Sequence, residues 1–341
     1  MTFADIVGQD PALAILRRAL GSGRLAHAYL FDGPQGVGKA TAAVALGLAL
    51  ICPLKPGEGC GTCEQCQRVL ARNHPNAWLF DAAGLQDAAK ASGDKSAVKY
   101  AARQVFPYAL AAPHEAARRL LVIDHADELS PDVQNTLLKT LEEPRPAVHI
   151  VLVTAARESL LPTVLSRTQR IRFLPVGIAA LGEVARRRGL DPTRAETAAV
   201  LAGGSVARLL ELATTEGEVG PWPEVTRLRE AAGGKGASGM FDVAAAPGEK
   251  ESKDRLPEVL ALLASFYRDA LAVAVGADDL VMLRQRGPEV ERVGRTGLHG
   301  LQRALRAVQD AEEALLANVN AVTALERLLM EMRACERKAT A

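Results

Sequence analysis

The first half of the chain alternates short apolar runs with stretches of helical periodicity. A helix is expected from about Lys39, directly after the first apolar run. Strands that alternate with helices are typical of a parallel sheet. We therefore expect an α/β domain over residues 1–174. Its predicted strands lie in "AYLFDG" (Ala28 to Gly33), "RRLLVIDHAD" (Arg118 to Asp127), "HIVLVTA" from His149 and "QRIRFLPV" (Gln169 to Val176).

From Gly177 onward the pattern becomes helical, without apolar runs of strand type. Leucine and valine recur at helical spacing up to the C-terminus, which predicts core or subunit-interface faces. We expect a small helical domain over residues 175–215 and an all-helical domain over 216–341. Within that last domain, a glycine- and charge-rich stretch of about 231–254 predicts a mobile linker.

Composition limits the classes of function. The 341 residues predict two or three domains. Lys and Arg total 41 against 40 for Asp and Glu, and aromatic residues make up only 4%. Neither a global positive field nor a stacking surface therefore supports autonomous nucleic-acid binding. The chain shows no secretory signal and no apolar run of about 18 residues, so no membrane association and a cytoplasmic location are expected.

The stretch "GPQGVGKAT" (Gly33 to Thr41) is one residue short of a complete phosphate-binding loop. Such loops wrap phosphates with backbone N–H groups, while the lysine neutralises phosphate oxygens. Ala40 stands where a hydroxyl normally ligates Mg²⁺, and Thr41 lies about 100° further around the helix. Two interpretations stay open: a site that binds ATP and Mg²⁺, or a retained frame without nucleotide. The remaining candidate nucleotide-binding residues of this loop are Gly33, Gly36, Gly38 and Lys39.

A second candidate lies at the end of the strand "LLVID". Asp124 is placed to contact the water shell of a bound metal ion, but His125 follows where related nucleotidases carry a catalytic glutamate. Histidine can accept a proton, yet it is shorter and differently shaped than glutamate. Both Ala40 and His125 therefore weaken the expected hydrolysis.

Four of the five cysteines fall within fifteen residues, with the spacing C-x7-C-x2-C-x2-C. In a chain expected in the cytosol, this clustering favours a metal over disulfides. Four thiolates leave no open coordination position, which predicts a structural Zn²⁺. A redox pair or incidental buried thiols are the alternatives. The predicted ligands are Cys52, Cys60, Cys63 and Cys66.

Taken together, the motifs resemble the bacterial clamp-loader branch of the AAA+ ATPases. The shared segments, in order, are "FADIVGQDPA", "HAYLFDGPQGVGK", the four-cysteine insertion, "VIDHAD", "NTLLKTLEEP", "LVTA", "LSRTQRIRF", "GGSVARLLELA" and "NVNAVTALERLL". The resemblance implies an AAA+ domain with a zinc module at 52–66, a small helical lid and an oligomerisation collar. Ala40 and His125 place the chain with the non-motor members, in which the chain acts as a stator of the ring.

The resemblance also assigns roles to individual residues. Arg167 in "LSRTQRIRF" would be an arginine finger that acts in trans on ATP bound to a neighbouring motor subunit; the bland alternative is an ordinary surface charge. Thr154 occupies the sensor position, and Arg208 that of a second sensor. Thr168 replaces the cysteine that usually follows Ser-Arg.

The implied partners are the motor (gamma/tau) and delta subunits, the beta sliding clamp and, through the assembled complex, primer-template DNA. A catalytically active, motor-like ATPase is the alternative function, and a zinc-containing nucleic-acid-binding module is a third. What the segment 82–104 contacts is left open by the sequence.

Overall fold

The protein is described from a computed structural model, which covers residues 2–91, 100–107, 111–113, 118–214, 219–234, 250–317 and 319–340. It divides into two compact units. The first comprises Met1–Val176 together with Ser205–Ala207, and the second comprises Gly177–Gly204 and Arg208–Ala341. The boundary between a lid at 175–215 and a collar at 216–341 remains a prediction. The predicted linker at 231–254 falls largely on 235–249, outside the described residues.

The first unit contains a five-stranded sheet in which all strands are parallel. The strands are β1 (Ala28–Asp32), β2 (Ala77–Asp81), β3 (Arg119–Asp124), β4 (Val148–Thr154) and β5 (Gln169–Arg172). Their spatial order is β2-β3-β4-β1-β5. The predicted parallel sheet is thus confirmed, but it has one strand more than the sequence pattern indicated. The missed strand is β2.

Successive strand residues point to opposite sides of the sheet, and apolar residues lie on both. Helices cover both faces and bury these residues. On β3, Leu120 and Val122 join one buried cluster while Leu121 and Ile123 join the other. This explains why the strands read as continuous apolar runs. The helices of this unit are α1 (Asp10–Gly21), α2 (Lys39–Ile51), α3 (Glu64–Leu70), α4 (Ala82–Ala91), α5 (Pro131–Glu142) and α6 (Pro162–Leu165).

Helix α5 has clear start and stop signals. The Ser130 side chain accepts a hydrogen bond from the Val133 N–H at 3.4 Å, as expected for an N-cap, and Pro131 occupies the first helical position. Pro144 follows two residues after the last helical residue, Glu142.

Every regular element among the described residues of the second unit is a helix. Its α-helices are α7 (Ile178–Arg187), α8 (Pro192–Leu201), α9 (Val206–Thr214, whose first two residues are assigned to the first unit), α10 (Trp222–Gly233), α11 (Lys250–Ala274), α12 (Gly287–Gly294), α13 (Leu298–Leu316) and α14 (Ala321–Thr340). The predicted helical C-terminal region is therefore confirmed. Among the described residues, no helix is both long and apolar enough to cross a lipid bilayer.

A buried charged cluster joins four helices of this unit, and one of its contacts runs from Arg229 to Glu289 on α12 at 2.9 Å. Arg229 on α10 donates to Glu336 on α14 at 2.9 Å, and the Tyr267 hydroxyl on α11 donates to the same carboxylate at 2.7 Å. The guanidinium also lies over the Phe266 ring, 3.7 Å from its centroid. Because Arg229 and Glu336 are buried and paired with one another, we interpret the cluster as a structural tie.

Candidate functional site

The parallel register brings the carboxyl ends of the strands to one edge of the sheet. Asp81 pairs with Asp124, and Asp32 lies between Thr154 on one side and Arg172 on the other. Ligands of open parallel sheets bind outside this edge. The structure thus brings the predicted Asp124 and Thr154 to the same edge as the phosphate loop, which follows Asp32.

The phosphate loop has the backbone that its glycines predict. Gly36 and Gly38 have positive φ angles of 75° and 101°, and Gly38 is the N-cap of α2. These conformations favour glycine because they are strained for residues with a Cβ. At Gly36, an added Cβ would also lie 2.0 Å from the Ser205 Oγ. Gly33 also has a positive φ angle, 156°, and an added Cβ there would lie 2.2 Å from the Phe173 carbonyl oxygen.

Lys39, the first residue of α2, is buried and turned toward its own loop. Its Nζ donates to the carbonyl oxygens of Gly33 at 2.6 Å and Pro34 at 2.5 Å. Burial lowers the pKa of Lys39, while the nearby carboxylates of Asp124, Asp127 and Asp32 oppose that shift. These two carbonyls use two of the three N–H donors of the ammonium group, so one donor remains that could reach a phosphate oxygen.

Neighbouring segments hold the phosphate loop in place. The buried Gln9 side chain donates to the carbonyls of Val37 and Leu174 and accepts from the Leu174 N–H. The Ala207 N–H donates to the Gly36 carbonyl at 3.2 Å. Neither contact was anticipated, although "GQD" was part of the family resemblance. The loop is therefore braced from both sides by residues distant in sequence.

Neither Ala40 nor His125 supplies the group that an ATP-hydrolysing site usually has at its position. Ala40 has no ligand atom, and Thr41 lies one residue further along α2. His125 adopts a left-handed conformation with φ 50°, and its Nδ1 lies 3.3 Å from a Glu128 carboxylate oxygen. The His125 ring therefore lies beside an acidic neighbour.

Other polar groups at this edge of the sheet form hydrogen bonds or ion pairs within the protein. Asp32 forms an ion pair with Arg170, whose Nε donates to it at 2.7 Å. An Asp127 carboxylate oxygen accepts from the Ala155 N–H at 3.2 Å, and the buried Thr154 hydroxyl accepts from the Ala156 N–H. Asp32 was not among the predicted site residues; its signal was a carboxylate that ends an apolar strand, the same signal that identified Asp124.

Arg208, the predicted second sensor, lies on α9 in the second unit. Its guanidinium forms ion pairs with Glu211 at 3.3 Å and with Glu258 at 3.1 Å. These contacts are partly exposed.

Arg167 lies between α6 and β5 and is partly exposed. Its Nη1 donates to the Thr163 carbonyl at 3.0 Å and to the Ser166 hydroxyl at 3.2 Å. Its Nη2 lies 2.8 Å from a carboxylate oxygen of Glu142, the last residue of α5. Glu142 was missed by sequence reasoning, because nothing in a separation of 25 positions shows that the two residues meet.

The four cysteines converge as predicted. One sulfur from each of Cys52, Cys60, Cys63 and Cys66 lies within 4.8 Å of all the others, so the cluster can hold a metal ion. The closest sulfur pairs are Cys52–Cys63 at 3.9 Å and Cys60–Cys66 at 3.8 Å.

Local backbone structure supports metal binding by the cysteine cluster. Cys52 caps the C-terminus of α2 and Cys63 caps the N-terminus of α3. Backbone N–H groups point at the sulfurs; the Cys63 and Thr62 N–H groups lower the pKa of the Cys60 thiol to about 5, which favours the thiolate that binds metal. Burial raises the pKa of Cys66 to about 12. Gly59, at φ 78°, lies where an added Cβ would meet the Leu48 Cβ at 2.6 Å.

Comparisons with known proteins match this architecture. Residues 8–177 match the family described as "DNA polymerase III, delta subunit". Over 328 residues the chain is 27% identical to the DNA polymerase III subunit delta′ of Bacillus subtilis (strain 168), covering 95% of this chain and 96% of that protein.

Gamma/tau and tau subunits match a shorter region at higher identity. The chain is 36% identical over 173 residues to the DNA polymerase III subunit gamma/tau of Mycobacterium tuberculosis (strain ATCC 25618 / H37Rv). It is 35% identical over 167 residues to the DNA polymerase III subunit tau of Escherichia coli (strain K12). These matches cover 50% and 49% of this chain but only 28% and 24% of those proteins. Of these three relatives, only the delta′ subunit is similar over nearly the whole chain.

Proposed function

Because the chain belongs to the DNA polymerase III clamp-loader family, we propose that it serves as the delta-prime subunit, the non-motor stator of the complex that loads the sliding clamp onto primed DNA. The resemblance inferred from the motifs is confirmed by the match over residues 8–177 and by the nearly full-length relative. The proposed partners are the motor (gamma/tau) and delta subunits, the beta clamp and, through the complex, primer-template DNA. A cytoplasmic location belongs to the same proposal.

The proposed chemical contribution is Arg167, acting in trans on ATP held by a neighbouring motor subunit. The geometry of Arg167 supports this role, because the guanidinium is anchored on one side and remains partly exposed. An arginine finger stabilises charge that develops on the transferred phosphoryl group. At the chain's own site, by contrast, Ala40 supplies no Mg²⁺ ligand and His125 faces Glu128. We therefore propose little or no hydrolysis there.

The proposed metal of the four-cysteine module is a structural Zn²⁺. Tetrahedral zinc with Zn–S bonds of about 2.3 Å separates its sulfurs by about 3.8 Å. The closest sulfur pairs, at 3.9 and 3.8 Å, agree with that separation. Four thiolates would close the coordination shell, so the ion would stabilise the turn between α2 and α3 without taking part in a reaction.

Reconstitution of the full chain with its motor and delta subunits tests this function. Arg167→Ala is expected to leave assembly intact and to lower the ATPase stimulated by clamp and primed DNA by about tenfold or more. Arg145→Ala is a suitable control, because Arg145 is exposed and forms no ion pair within the described part of the chain. Unchanged stimulation in Arg167→Ala would remove the finger role.

The motor-like alternative is favoured by the higher identity to gamma/tau over half the chain. It predicts that the purified chain hydrolyses ATP alone, at the rate of a motor subunit, and that Lys39→Ala abolishes the activity. That result would contradict the stator function.

A further inference from the structure

The guanidinium of Arg167 is held from one side only. Two hydrogen bonds fix Nη1, one to the Thr163 carbonyl and one to the Ser166 hydroxyl, and the Glu142 carboxylate lies against Nη2. An arginine has five N–H donors in a rigid fork. The Nε–H and one N–H of Nη2 therefore remain for a further acceptor, and the side chain is 36% exposed.

Glu142 differs from the other two anchors because it belongs to a different element. Thr163 and Ser166 lie in the same short segment as Arg167, so they would move with it. Glu142 ends α5, whose Leu137 and Leu141 are buried in the domain core. The carboxylate is thus fixed to the sheet through a packed helix, and the end of that helix adds its own partial negative charge.

Helix α5 also holds the other end of the arginine's segment. The buried Gln134 side chain donates to the carbonyls of Leu129 and Ser159 and accepts from the Leu161 N–H at 2.8 Å. Leu161 immediately precedes α6, whereas Arg167 follows it. The segment is therefore attached to α5 at both ends, and Glu142 provides the attachment at the arginine itself.

We infer that Glu142 is a positioning residue for Arg167. This inference rests on the proposed function. The Glu142 carboxylate holds the guanidinium oriented outward before the neighbouring subunit's triphosphate arrives. Without Glu142, the long arginine side chain would populate further rotamers, and a smaller fraction of assembled rings would present it correctly. Precise orientation of charged groups governs the rate of phosphoryl transfer.

The experiment uses the reconstituted complex with Glu142→Ala. Because a partly exposed ion pair contributes up to about 1 kcal/mol, we expect the stimulated kcat to fall by about three- to fivefold. The KM for ATP should hardly change, since the arginine acts on the transition state. Glu142→Gln keeps an acceptor oxygen without the charge and should lie between the wild type and Glu142→Ala.

Glu143→Ala is the matched control. Glu143 is the next residue, is exposed, and has no side-chain partner within the described residues. It should assemble and hydrolyse ATP as the wild type does. An equal loss in Glu143→Ala and Glu142→Ala would show a general effect of negative charge at this surface and would overturn the assignment.

A double variant decides whether Glu142 acts through Arg167. If it does, Arg167→Ala combined with Glu142→Ala will be no slower than Arg167→Ala alone. A further loss in the double variant, or an unchanged or faster rate in Glu142→Ala, would overturn the inference. A wild-type rate in Arg167→Ala would instead contradict the proposed function, so the two failures can be distinguished.

Discussion

The two ends of helix α2 carry two different kinds of site. Its first residue is Lys39 of the phosphate loop, and the residue that caps its last turn is Cys52 of the cysteine cluster. At the first end, the backbone of a ligand site is present but Ala40 lacks the expected ligand atom. At the other end, both the backbone and all four sulfurs are in place.

The difference shows that a loop's conformation and its chemistry depend on different residues. Gly36 and Gly38 set the backbone of the phosphate loop, and Gln9 and Ala207 brace it. None of these contacts requires a bound Mg²⁺. The turn between α2 and α3 instead brings together four sulfur atoms that could hold a metal ion.

The largest expected effect is at the cysteine end. Cys66 is fully buried, and replacing it with serine removes one of four ligands. We expect Cys66→Ser to lose nearly all bound zinc and to destabilise the first unit by about 3 kcal/mol or more, because structural zinc contributes directly to folding. Metal analysis and denaturant unfolding measure both.

Cys335→Ser is the control for that variant. Cys335 is also buried, but it lies on α14 and its sulfur donates to the Met332 carbonyl at 3.1 Å. Serine can keep this hydrogen bond, so zinc content should stay at the wild-type level. Equal zinc in Cys66→Ser and the wild type would remove Cys66 from the ligand set.

Local patterns predicted most of the fold and the convergence of the four cysteines, while the roles of the other candidate site residues stay predictions. The cysteine spacing, the glycine loop and the strand ending in Asp124 are each short segments whose chemistry is visible in a few residues. Strand β2 was missed even though its sequence "AWLFD" nearly repeats the "AYLFD" of β1. It follows the cysteine insertion rather than a long helix, so the strand-helix alternation did not mark it.

Contacts between distant residues could not be predicted from one sequence. Asp32 meets Arg170, Glu142 meets Arg167, and Arg229 meets Glu336 107 positions away. Each charged side chain alone is typical of a solvated surface. Only the packing of helices and strands shows which pairs are buried and which stay exposed.

A smaller effect is expected from restoring the missing hydroxyl at the other end of α2. Ala40→Thr supplies the Mg²⁺ ligand that the loop lacks, on a backbone that already has the required conformation. We expect the affinity for ATP to increase about tenfold with Mg²⁺, equivalent to about 1.4 kcal/mol, and to change little without it. Titration of a fluorescent ATP analogue with and without Mg²⁺ measures the difference.

Thr41→Ala is the control for this prediction. Thr41 is expected to point away from the ligand position, so its removal should leave nucleotide affinity unchanged. If the wild type bound ATP tightly with Mg²⁺ and Thr41→Ala abolished that binding, Thr41 would be the ligand. The contrast between the two ends of α2 would then fail.

The smallest expected effect concerns Lys39 in the free chain. Burial lowers its pKa, which means that the folded state disfavours the charged form. Lys39→Met removes that cost, although the carbonyls of Gly33 and Pro34 lose their donor. We expect the free energy of unfolding at pH 7 to rise or to stay within about 1 kcal/mol of the wild type. A clear destabilisation would show that the lysine is a structural tie of the loop.

The pH dependence of the difference in unfolding free energy between Lys39→Met and the wild type tests independently whether burial of Lys39 is unfavourable. The folded-state pKa of Lys39 lies below its ordinary value of 10.5, so between the two values the unfolded chain binds more protons. Wild-type stability attributable to Lys39 must therefore rise with pH across that interval, whereas the cost is constant below it. Any advantage of Lys39→Met should be largest near neutral pH and should shrink as pH approaches 10.5. Titrating groups that do not interact with Lys39 cancel in the comparison, and an advantage that grew with pH would contradict the burial cost.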